Sequence, residues 1–488
     1  MNGPLRRTAW AILGAFAILA LTATWVQAIA APRYRDDARN PRVVAWRVGR
    51  ERGAIVTADD VVVARSDPDP DDQQIFRRSY PEGDLYSHIV GFTSVLFGAR
   101  GLEQERADDL VSDRDSTISG VLNAVLGGDP RPRGLRLTID HDLQETAAAA
   151  LGDQRGAVVA IDPATGAVLA SVSTPGFDPN TLIGPGAGPA GTELENDEGQ
   201  PLLNRTIAIT YPPGSSFKVI TAAAALEAGV AGPSTEFEDP VALELPGTSS
   251  TIRNYDEEVC NDGRTVSLEQ AFVRSCNTVF AALGMEVGAD RLVSMAERFG
   301  FNQEIPYDLD VLASAIPDAA TFADDPPAIA QNAIGQRDVR ATPMQMALVA
   351  AGVANGGEIM IPHVVADVFT SDGTIVDTTE PTLWQRAVSP ATASVLTDLM
   401  ERVVISGTGQ RASVPGFRIA GKTGTAEVTG GPPHAWFIGF GPVDPDLGER
   451  QIAIAVVVED GGDFGETASG GTVAAPIAAS VFEAFFSG

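Results

Sequence analysis

The sequence predicts an α+β fold, because strand-like segments lie at both ends of its large C-terminal region and helix-forming segments lie between them. Residues 156–161 and 167–172 are the early strand-like segments, and residues 435–440 and 452–458 are the late ones. When strands distant in sequence enclose helical segments, one sheet that joins both ends is the expected arrangement. Turn residues at 162–166 further predict that the two early strands form a hairpin.

Size, composition and charge limit the class of protein. The chain has 488 residues, of which 20% are charged and 44% are apolar, as in globular proteins of two or three domains. Its formal net charge is −30, which argues against nucleic acid and anionic lipid as general partners. We therefore expect no nucleic-acid partner.

The N-terminal region predicts a single transmembrane signal anchor. Residues 8–31 form an apolar stretch without any charge, and Arg6 and Arg7 precede it. This length spans a bilayer as a helix, and the arginines place residues 1–7 in the cytoplasm and the rest of the chain outside. A cleaved signal peptide is the alternative, because small residues lie near the end of the stretch. The length favours a retained, single-pass anchor in the cell membrane.

The region after the anchor differs from the rest of the chain in composition and in predicted secondary structure. Residues 32–134 are charged and rich in arginine, with an acidic run at 67–72 and no evident long amphipathic helix. Strand-like segments and loops rich in glycine and proline begin at residue 135. We therefore predict one domain at 32–134 and a second at 135–488.

Lysine is rare in this chain. Of 34 basic residues, only Lys218 and Lys422 are lysine. Arginine stays protonated, whereas a buried lysine can lose its proton and act as a base. By composition alone, two lysines with a function and two lysines that remain by chance in an arginine-rich chain are equally expected. The sequence around each lysine must decide.

Lys218 lies three residues after Ser215. The segment 211–214 contains two prolines and cannot lie inside a helix, whereas residues 216–226 are nearly all apolar and predict a buried helix. Ser215 and Lys218 would share one helix face, with the serine oxygen near backbone N–H groups at the positive end of the helix dipole. Burial would lower the pKa of Lys218, which places a general base beside an activated serine. An N-capping serine and a lysine that extends to solvent are the structural alternative.

The second lysine begins the run Lys422-Thr423-Gly424-Thr425, which follows a short apolar strand start. Small residues there allow the backbone to approach a substrate closely. The ammonium group can attract a carboxylate, and the hydroxyls of Thr423 and Thr425 can donate hydrogen bonds to it. An ordinary edge strand protected by its lysine is the alternative.

A third short motif, Ser275-Cys276-Asn277, lies inside a predicted helix over residues 268–287. A serine and an asparagine two positions apart can both point into a cleft from a helix end. By itself the triplet has almost no specificity.

In this order, the motifs S-x-x-K, S-x-N and K-T-G resemble those of the penicillin-binding protein and serine β-lactamase superfamily. Further segments are similar to family landmarks, at residues 137–140, 175–180, 203–205, 335–336, 342–343, 355–357 and 436–437. Arg52-Gly53 and Gly101-Leu102-Glu103 resemble the N-terminal pedestal of class B members. The chain is therefore identified as a class B penicillin-binding protein, most similar to the actinobacterial penicillin-binding protein A type.

The resemblance implies both a fold and a reaction. The expected fold is an antiparallel five-stranded sheet flanked by helices, with an elongated pedestal and one transmembrane helix. The expected enzyme is a serine-type D,D-transpeptidase that cross-links peptidoglycan stem peptides in cell-wall growth, is acylated by β-lactams and uses no cofactor.

The resemblance also implies a role for each motif residue. Ser215 would attack the carbonyl between two D-alanines, and Lys218 would take its proton. Ser275 and Asn277 would relay protons and hold the substrate amide. The terminal carboxylate would be bound by Lys422, Thr423, Gly424 and Thr425. The backbone N–H groups of Ser215 and Thr425 would form the oxyanion hole.

The sequence departs from the β-lactamase pattern. Cys276 stands where those enzymes have aspartate, and no glutamate segment that would activate a deacylating water is identifiable. The pedestal has no acidic motif of a glycosyltransferase, so we expect a monofunctional enzyme that needs a separate membrane glycan polymerase. A D,D-carboxypeptidase or β-lactamase-type hydrolase, and a non-catalytic β-lactam receptor or scaffold, are the alternatives.

The remaining candidate features are cysteines and histidines. Cys260 and Cys276 predict a disulfide, because the anchor places both outside the cytoplasm, and two free thiols in a core are the alternative. The four histidines are scattered without metal-ligand spacing, so no metal site is predicted. His434 could flank the cleft near Trp436, although a solvated loop histidine is the simpler interpretation.

Overall fold

The computed structural model describes residues 3–26, 49–72, 75–111, 131–184, 186–255, 258–322, 325–443 and 450–488. Residues 27–31 of the predicted anchor, which carry the small residues of the signal-peptide alternative, lie outside the described residues. Residues 32–48 and 112–130 of the predicted N-terminal domain also lie outside them.

The first helix, α1, spans Gly3–Thr24. Its large apolar side chains, such as Trp10 and Leu21, are exposed, as expected of a helix without a protein partner. The 19 residues Arg6–Thr24 are long and apolar enough to cross a membrane. The helix begins before the apolar stretch, so part of the predicted cytoplasmic tail is helical.

The other elements follow in chain order. The helices are α2 Ser87–Val90, α3 Leu102–Glu105, α4 Ala107–Leu110, α5 His141–Leu151, α6 Ala187–Asn196, α7 Lys218–Glu227, α8 Leu268–Arg274, α9 Asn277–Val287, α10 Ala289–Arg298, α11 Pro326–Asn332, α12 Pro343–Ala354, α13 Pro390–Ser406 and α14 Ala475–Ser487. The strands are β1 Ile55–Val56, β2 Val62–Pro68, β3 Phe76–Ser79, β4 Phe92–Ser94, β5 Gly98–Arg100, β6 Gly134–Leu137, β7 Gly156–Ile161, β8 Val168–Thr174, β9 Glu236–Glu238, β10 Ala242–Glu244, β11 Thr251–Arg253, β12 Thr265–Ser267, β13 Glu358–Met360, β14 Val365–Phe369, β15 Ile375–Thr378, β16 Leu383–Arg386, β17 Ala420–Val428, β18 Gly431–Gly441 and β19 Ile452–Val458.

The N-terminal domain is built around a six-stranded sheet in the order β15-β14-β6-β1-β2-β3. Strands β1 and β6 pair in parallel, and β14 pairs antiparallel with β6. Strands β14 and β15 come from residues 365–378, so the chain returns from the C-terminal region to complete this sheet. The predicted boundary at residue 134 is the position at which β6 begins, and β6 pairs with β1 of the first region and with β14 of the second.

A buried ion cluster, which we call the pedestal cluster, links distant parts of this domain. The carboxylate of Glu103 pairs with Arg52 Nε at 2.6 Å and with Arg78 Nε at 2.5 Å. The hydroxyl of Tyr80 donates to the same carboxylate at 3.3 Å. All four residues are buried, so the cluster connects the segment before β1, which contains Arg52, and strand β3, which contains Arg78, to α3 without access to solvent.

The C-terminal region contains the predicted five-stranded sheet, in the order β17-β18-β19-β7-β8. Each neighbouring pair is antiparallel, and the predicted hairpin joins β7 to β8. Side chains alternate between the two faces of the central strand β19. Ile454 and Val456 join a core with α5 and α14, whereas Ala455 and Val457 join the core that contains α7 and α12. The sheet is thus covered by helices on both faces, and β17 remains at its edge.

Candidate active site

Ser215 lies in a tight turn directly before α7. The segment Gly214–Phe217 is a 3-10 turn, and the α-helix starts only at Lys218. Gly214 has a φ of +54°, a left-handed conformation that glycine adopts without strain. The hydroxyl of Ser216 donates to the Pro213 carbonyl at 2.7 Å and closes the turn. Ser215 itself is half-buried, at the boundary between core and cleft.

The middle motif breaks the helix that the sequence predicts over residues 268–287. In the structure α8 ends at Arg274 and α9 begins at Asn277. Ser275 lies between them with φ 64° and ψ 42°, a left-handed conformation that is costly for a residue with a side chain. The prediction of one continuous helix is therefore wrong, because helical periodicity continues through a local break. The break presents Ser275 and Asn277 from two adjoining helix ends.

Lys218 is fully buried and contacts both residues of the middle motif. Its Nζ lies 2.7 Å from the Ser275 carbonyl oxygen, 3.3 Å from the Ser275 hydroxyl and 2.8 Å from Asn277 Oδ1. The amide nitrogen Nδ2 of Asn277 donates to the Arg253 carbonyl at 2.9 Å, which fixes the orientation of the side chain. Lys218 thus points into the site and not to solvent, contrary to the structural alternative.

Lys422 reaches the same serine from the edge strand β17. Its Nζ donates to the Ser275 hydroxyl at 2.9 Å and to the Thr423 carbonyl at 3.0 Å. Lys422 is fully buried as well. The Ser275 hydroxyl therefore contacts the Nζ atoms of both Lys218 and Lys422, two residues that are 204 positions apart in sequence.

The two lysines differ in proton affinity. Burial lowers the pKa of Lys218 well below its usual value, and the charge of Lys422 lowers it further. Burial also lowers the pKa of Lys422, to about 7. Aromatic rings lie near both groups, with Phe280 at 5.5 Å from Lys218 Nζ and Phe272 at 5.7 Å from Lys422 Nζ. The charge of Lys422 therefore adds to burial in favouring the neutral form of Lys218.

The Thr423-Gly424-Thr425 segment lies against the serine turn. A Cβ atom at Gly424 would approach the Pro213 carbonyl oxygen to 2.7 Å, so glycine permits the turn to pack on β17. Thr423 Oγ1 lies 2.6 Å from Thr408 Oγ1, and Thr425 Oγ1 accepts from the backbone N–H of Gly470 at 3.4 Å. Gly424 and Thr425 thus pack against the turn at residues 213–216, and Thr423 contacts the residue that follows α13.

Two of these contacts involve residues that the sequence did not single out. Thr408 follows α13, and Gly470 follows the end of β19 by twelve residues. A side chain at Gly470 would collide with the Trp436 carbonyl and with the backbone of Gly424. Neither residue belongs to a local motif, so proximity in the fold is the signal that identifies them.

Cys260 and Cys276 are joined by a disulfide in the structure, with their Cα atoms 6.1 Å apart. Cys276 is buried within the middle motif, and Cys260 belongs to a loop whose backbone N–H groups donate to the buried carboxylate of Asp239. The bridge therefore ties this loop to the helix break that presents Ser275.

His434 lies on strand β18 and not in a solvated loop. Its side chain is only 13% exposed, and its Nδ1 accepts from the backbone N–H of Asp460 at 3.1 Å. The ring packs edge-on against Tyr211, at a centroid distance of 5.4 Å. The simpler interpretation of this histidine is wrong, because the strand continues through the proline pair that precedes it.

Comparison with known proteins agrees with this geometry. The family described as "Penicillin binding protein transpeptidase domain" matches residues 156–483, and the family described as "Penicillin binding protein A dimerisation domain" matches residues 52–134. The "Peptidoglycan D,D-transpeptidase PbpA" of Mycolicibacterium smegmatis is 42% identical, covering 98% of this chain and 97% of that protein. The protein of the same name from Mycobacterium tuberculosis is 39% identical, covering 100% of both chains.

A solved structure is similar over the same extent. It is titled as penicillin-binding protein A from M. tuberculosis in an imipenem acyl-enzyme complex. It has a TM-score of 0.82 and 38% sequence identity, and the match covers 90% of this chain and 100% of that chain. The motif geometry and these matches together establish that this chain belongs to the penicillin-binding protein transpeptidase family, with the pedestal of its class B members.

Proposed function

We propose that this protein is a membrane-anchored peptidoglycan D,D-transpeptidase that works through a Ser215 acyl-enzyme. The observation that carries the proposal is the convergence of two buried lysines on the Ser275 hydroxyl, at 3.3 Å and 2.9 Å. Such a centre connects a proton acceptor and a cation through one hydroxyl that can relay a proton. The M. smegmatis and M. tuberculosis relatives named above are D,D-transpeptidases by their names, which supports the same reaction here.

Acylation begins at Ser215. The hydroxyl oxygen attacks the carbonyl carbon between two D-alanines, and its proton passes to the neutral amine of Lys218. The lowered pKa of Lys218 supports this role, because it favours the neutral amine that can accept a proton. The proton then travels through the Ser275 hydroxyl to the leaving amine of the terminal D-alanine, and the C–N bond breaks. An ester between Ser215 and the remaining stem peptide results.

Lys422 and its neighbours would bind the substrate carboxylate. A charged Lys422 with the hydroxyls of Thr423 and Thr425 suits this group, and a bound carboxylate would raise the pKa of Lys422 from about 7. Asn277 would hold the substrate amide. Backbone N–H groups of Ser215 and Thr425 would stabilise the oxyanion, and the close packing that Gly424 permits brings the two segments together.

The second half-reaction forms the cross-link. The amine of a second stem peptide attacks the Ser215 ester, Lys218 accepts the amine proton, and the serine hydroxyl is regenerated. β-Lactams acylate Ser215 in the same manner, because their ring carbonyl replaces the scissile amide.

The decisive experiment treats the full-length protein with a fluorescent penicillin and measures intact mass. We expect one stable adduct per chain, absent from the Ser215→Ala variant. Rapid turnover without an accumulating adduct would favour a β-lactamase-type hydrolase. Release of D-alanine from a stem-peptide substrate without cross-linked product would favour a D,D-carboxypeptidase. A wild-type protein that does not react at all would leave only a non-catalytic receptor or scaffold.

The cellular arrangement is part of the proposal. Helix α1 would be retained as a single-pass anchor with Arg6 and Arg7 in the cytoplasm, which places residues 32–134 and 135–488 outside as pedestal and transpeptidase domain. Since the proposed enzyme is monofunctional, a separate membrane glycan polymerase would supply the strands. Protease protection of the N-terminal tail in sealed membrane vesicles tests the orientation.

A further inference from the structure

A second ion cluster, which we call the catalytic-domain cluster, is buried except for the side chain of Arg155, which is 43% exposed. Its centre is the carboxylate of Glu459, directly after β19. Oε1 pairs with Arg205 Nε at 2.9 Å, and Oε2 pairs with Arg155 Nη2 at 2.7 Å. The hydroxyl of Tyr211 donates to Oε1 at 2.6 Å. None of these residues has a role in the proton transfers described above.

Further hydrogen bonds hold Glu459 and Arg205 in place. Glu459 is 5% exposed, and its backbone N–H donates to the Arg155 carbonyl at 2.8 Å. Arg205 is fully buried and donates further to the carbonyls of Gly199 at 2.7 Å and Gln200 at 3.2 Å. The carboxylate therefore has a fixed position relative to the central strand of the sheet.

Tyr211 connects this fixed point to the serine turn, because it precedes Ser215 by four residues. Its backbone exchanges hydrogen bonds with Ala341 at 2.9 Å and 2.8 Å, and the next residue, Pro212, accepts from Trp436 Nε1 at 3.1 Å. These contacts hold the main chain. The hydroxyl bond to Glu459 adds a tether that prevents the tyrosine side chain from pivoting about its backbone.

The protonation state suits this tether. Burial raises the pKa of Tyr211, and the charge of Glu459 raises it further, so the phenol keeps its hydrogen and donates it. A charge-assisted bond of this kind is shorter and stronger than a neutral one.

We propose that Glu459 is a positioning residue for acylation, which acts through Tyr211 to hold the Ser215 turn in its reactive geometry. The inference rests on the proposed transpeptidase function. Displacement of a nucleophile by about 1 Å can cost up to about a hundredfold in rate, so a tether outside the reacting atoms can control the chemical step.

The chain offers a matched control. In the pedestal cluster, Glu103 is likewise paired with two arginines and accepts from a buried tyrosine, Tyr80. Tyr80→Phe and Tyr211→Phe thus remove the same hydroxyl from the same type of cluster. They differ in that Tyr211 is joined to the Ser215 turn, whereas the Tyr80 hydroxyl lies farther from its carboxylate and also accepts from the backbone N–H of Thr93 at 2.9 Å.

The test measures acylation of the full-length protein by a fluorescent penicillin at several concentrations, which separates the noncovalent dissociation constant from the maximal acylation rate. We expect Tyr211→Phe to lower the maximal rate about tenfold, with the dissociation constant changed less than about twofold. Tyr80→Phe should leave both unchanged, even where it lowers the thermal midpoint as much. An unchanged rate in Tyr211→Phe, or an equal loss in Tyr80→Phe, would overturn the inference.

A double-mutant cycle provides a second readout. If Glu459 acts through Tyr211, Glu459→Gln should slow acylation less in the Tyr211→Phe background than in the wild type. Additive losses would contradict the inference. Failure of the wild-type protein to form any adduct would instead reject the proposed function, so the two failures are distinguishable. If Glu459→Gln does not fold, the comparison of Tyr211→Phe with Tyr80→Phe still tests the inference.

Discussion

The pedestal cluster and the catalytic centre both bury two basic side chains, yet they differ in the groups that contact them. In the pedestal, Arg52 and Arg78 share the carboxylate of Glu103. In the catalytic centre, the contacts of Lys218 and Lys422 among the described residues are hydroxyl, carbonyl and amide oxygens, without a carboxylate.

This difference favours the charged form of the buried carboxylate in the pedestal cluster and the neutral form of the buried lysines in the catalytic centre. Burial alone would raise the pKa of Glu103, but Arg78 and Arg52 outweigh it and lower this pKa, so the pedestal cluster stays charged. Burial without a counterion lowers the pKa of both lysines. Paired buried charges thus maintain structure, whereas unpaired buried amines become available for proton transfer.

The largest expected effect distinguishes the two lysines. Lys218→Arg should abolish acylation, with a loss of about 10²–10⁴-fold or more, because arginine cannot act as a base at neutral pH. Lys422→Arg should retain measurable acylation, with a loss of about tenfold, because it keeps the charge that attracts the carboxylate. Acylation rates with fluorescent penicillin measure both. Equal losses would show that the assigned division of labour is wrong.

The pedestal should respond through stability and not through chemistry. Glu103→Gln leaves two buried arginines without a counterion and should destabilise the protein by about 3–5 kcal/mol in thermal unfolding. The matched control is Glu401→Gln, which removes the carboxylate paired with the half-exposed Arg418 at 2.6 Å and should cost less than about 1 kcal/mol. If Glu103→Gln lowered the acylation rate per folded molecule, the pedestal cluster would act on the chemistry and not only on stability, contrary to this prediction.

The pedestal carboxylate also predicts the direction of acid sensitivity. Because the folded pKa of Glu103 lies below its unfolded value, its contribution to stability is present above the unfolded pKa and is lost as pH falls through the folded pKa. The Glu103→Gln variant should lack this part of the acid-induced loss of the thermal midpoint.

A smaller effect is expected in the pH dependence of acylation. Lys422 has a pKa of about 7 in the free enzyme, so the second-order acylation rate for a carboxylate-bearing β-lactam should fall as pH rises above that value. Lys422→Arg should remove this alkaline limb, since arginine does not deprotonate there. An alkaline limb that persists in Lys422→Arg would assign it to a different group.

The smallest expected effect concerns the disulfide. The native protein should be lighter than the reduced protein by two hydrogens, and Cys260→Ala should slow acylation by less than about tenfold, because Ser275 is also held by both lysines. Intact mass with and without reductant measures the first quantity. Two freely alkylated thiols in the native, exported protein would refute the bridge.

The sequence by itself determined the chemistry and much of the architecture. Three motifs predicted Ser215, Ser275 and Lys422 as partners, strand-like segments at both ends of the C-terminal region predicted an α+β fold, and the family resemblance implied the five-stranded sheet. These features are local, because a motif and a strand period each require only a few neighbouring residues. The length of the apolar N-terminal stretch predicted a spanning helix in the same way.

Tertiary structure alone decided how the parts meet. The break at Ser275 could not be predicted, because the helical pattern continues through it and the left-handed residue is held by the contacts around it. The return of β14 to β6 and the pairing of Glu459 with Tyr211 join segments far apart in sequence. Pairing between distant segments depends on the packing of the whole domain, and no local pattern records it.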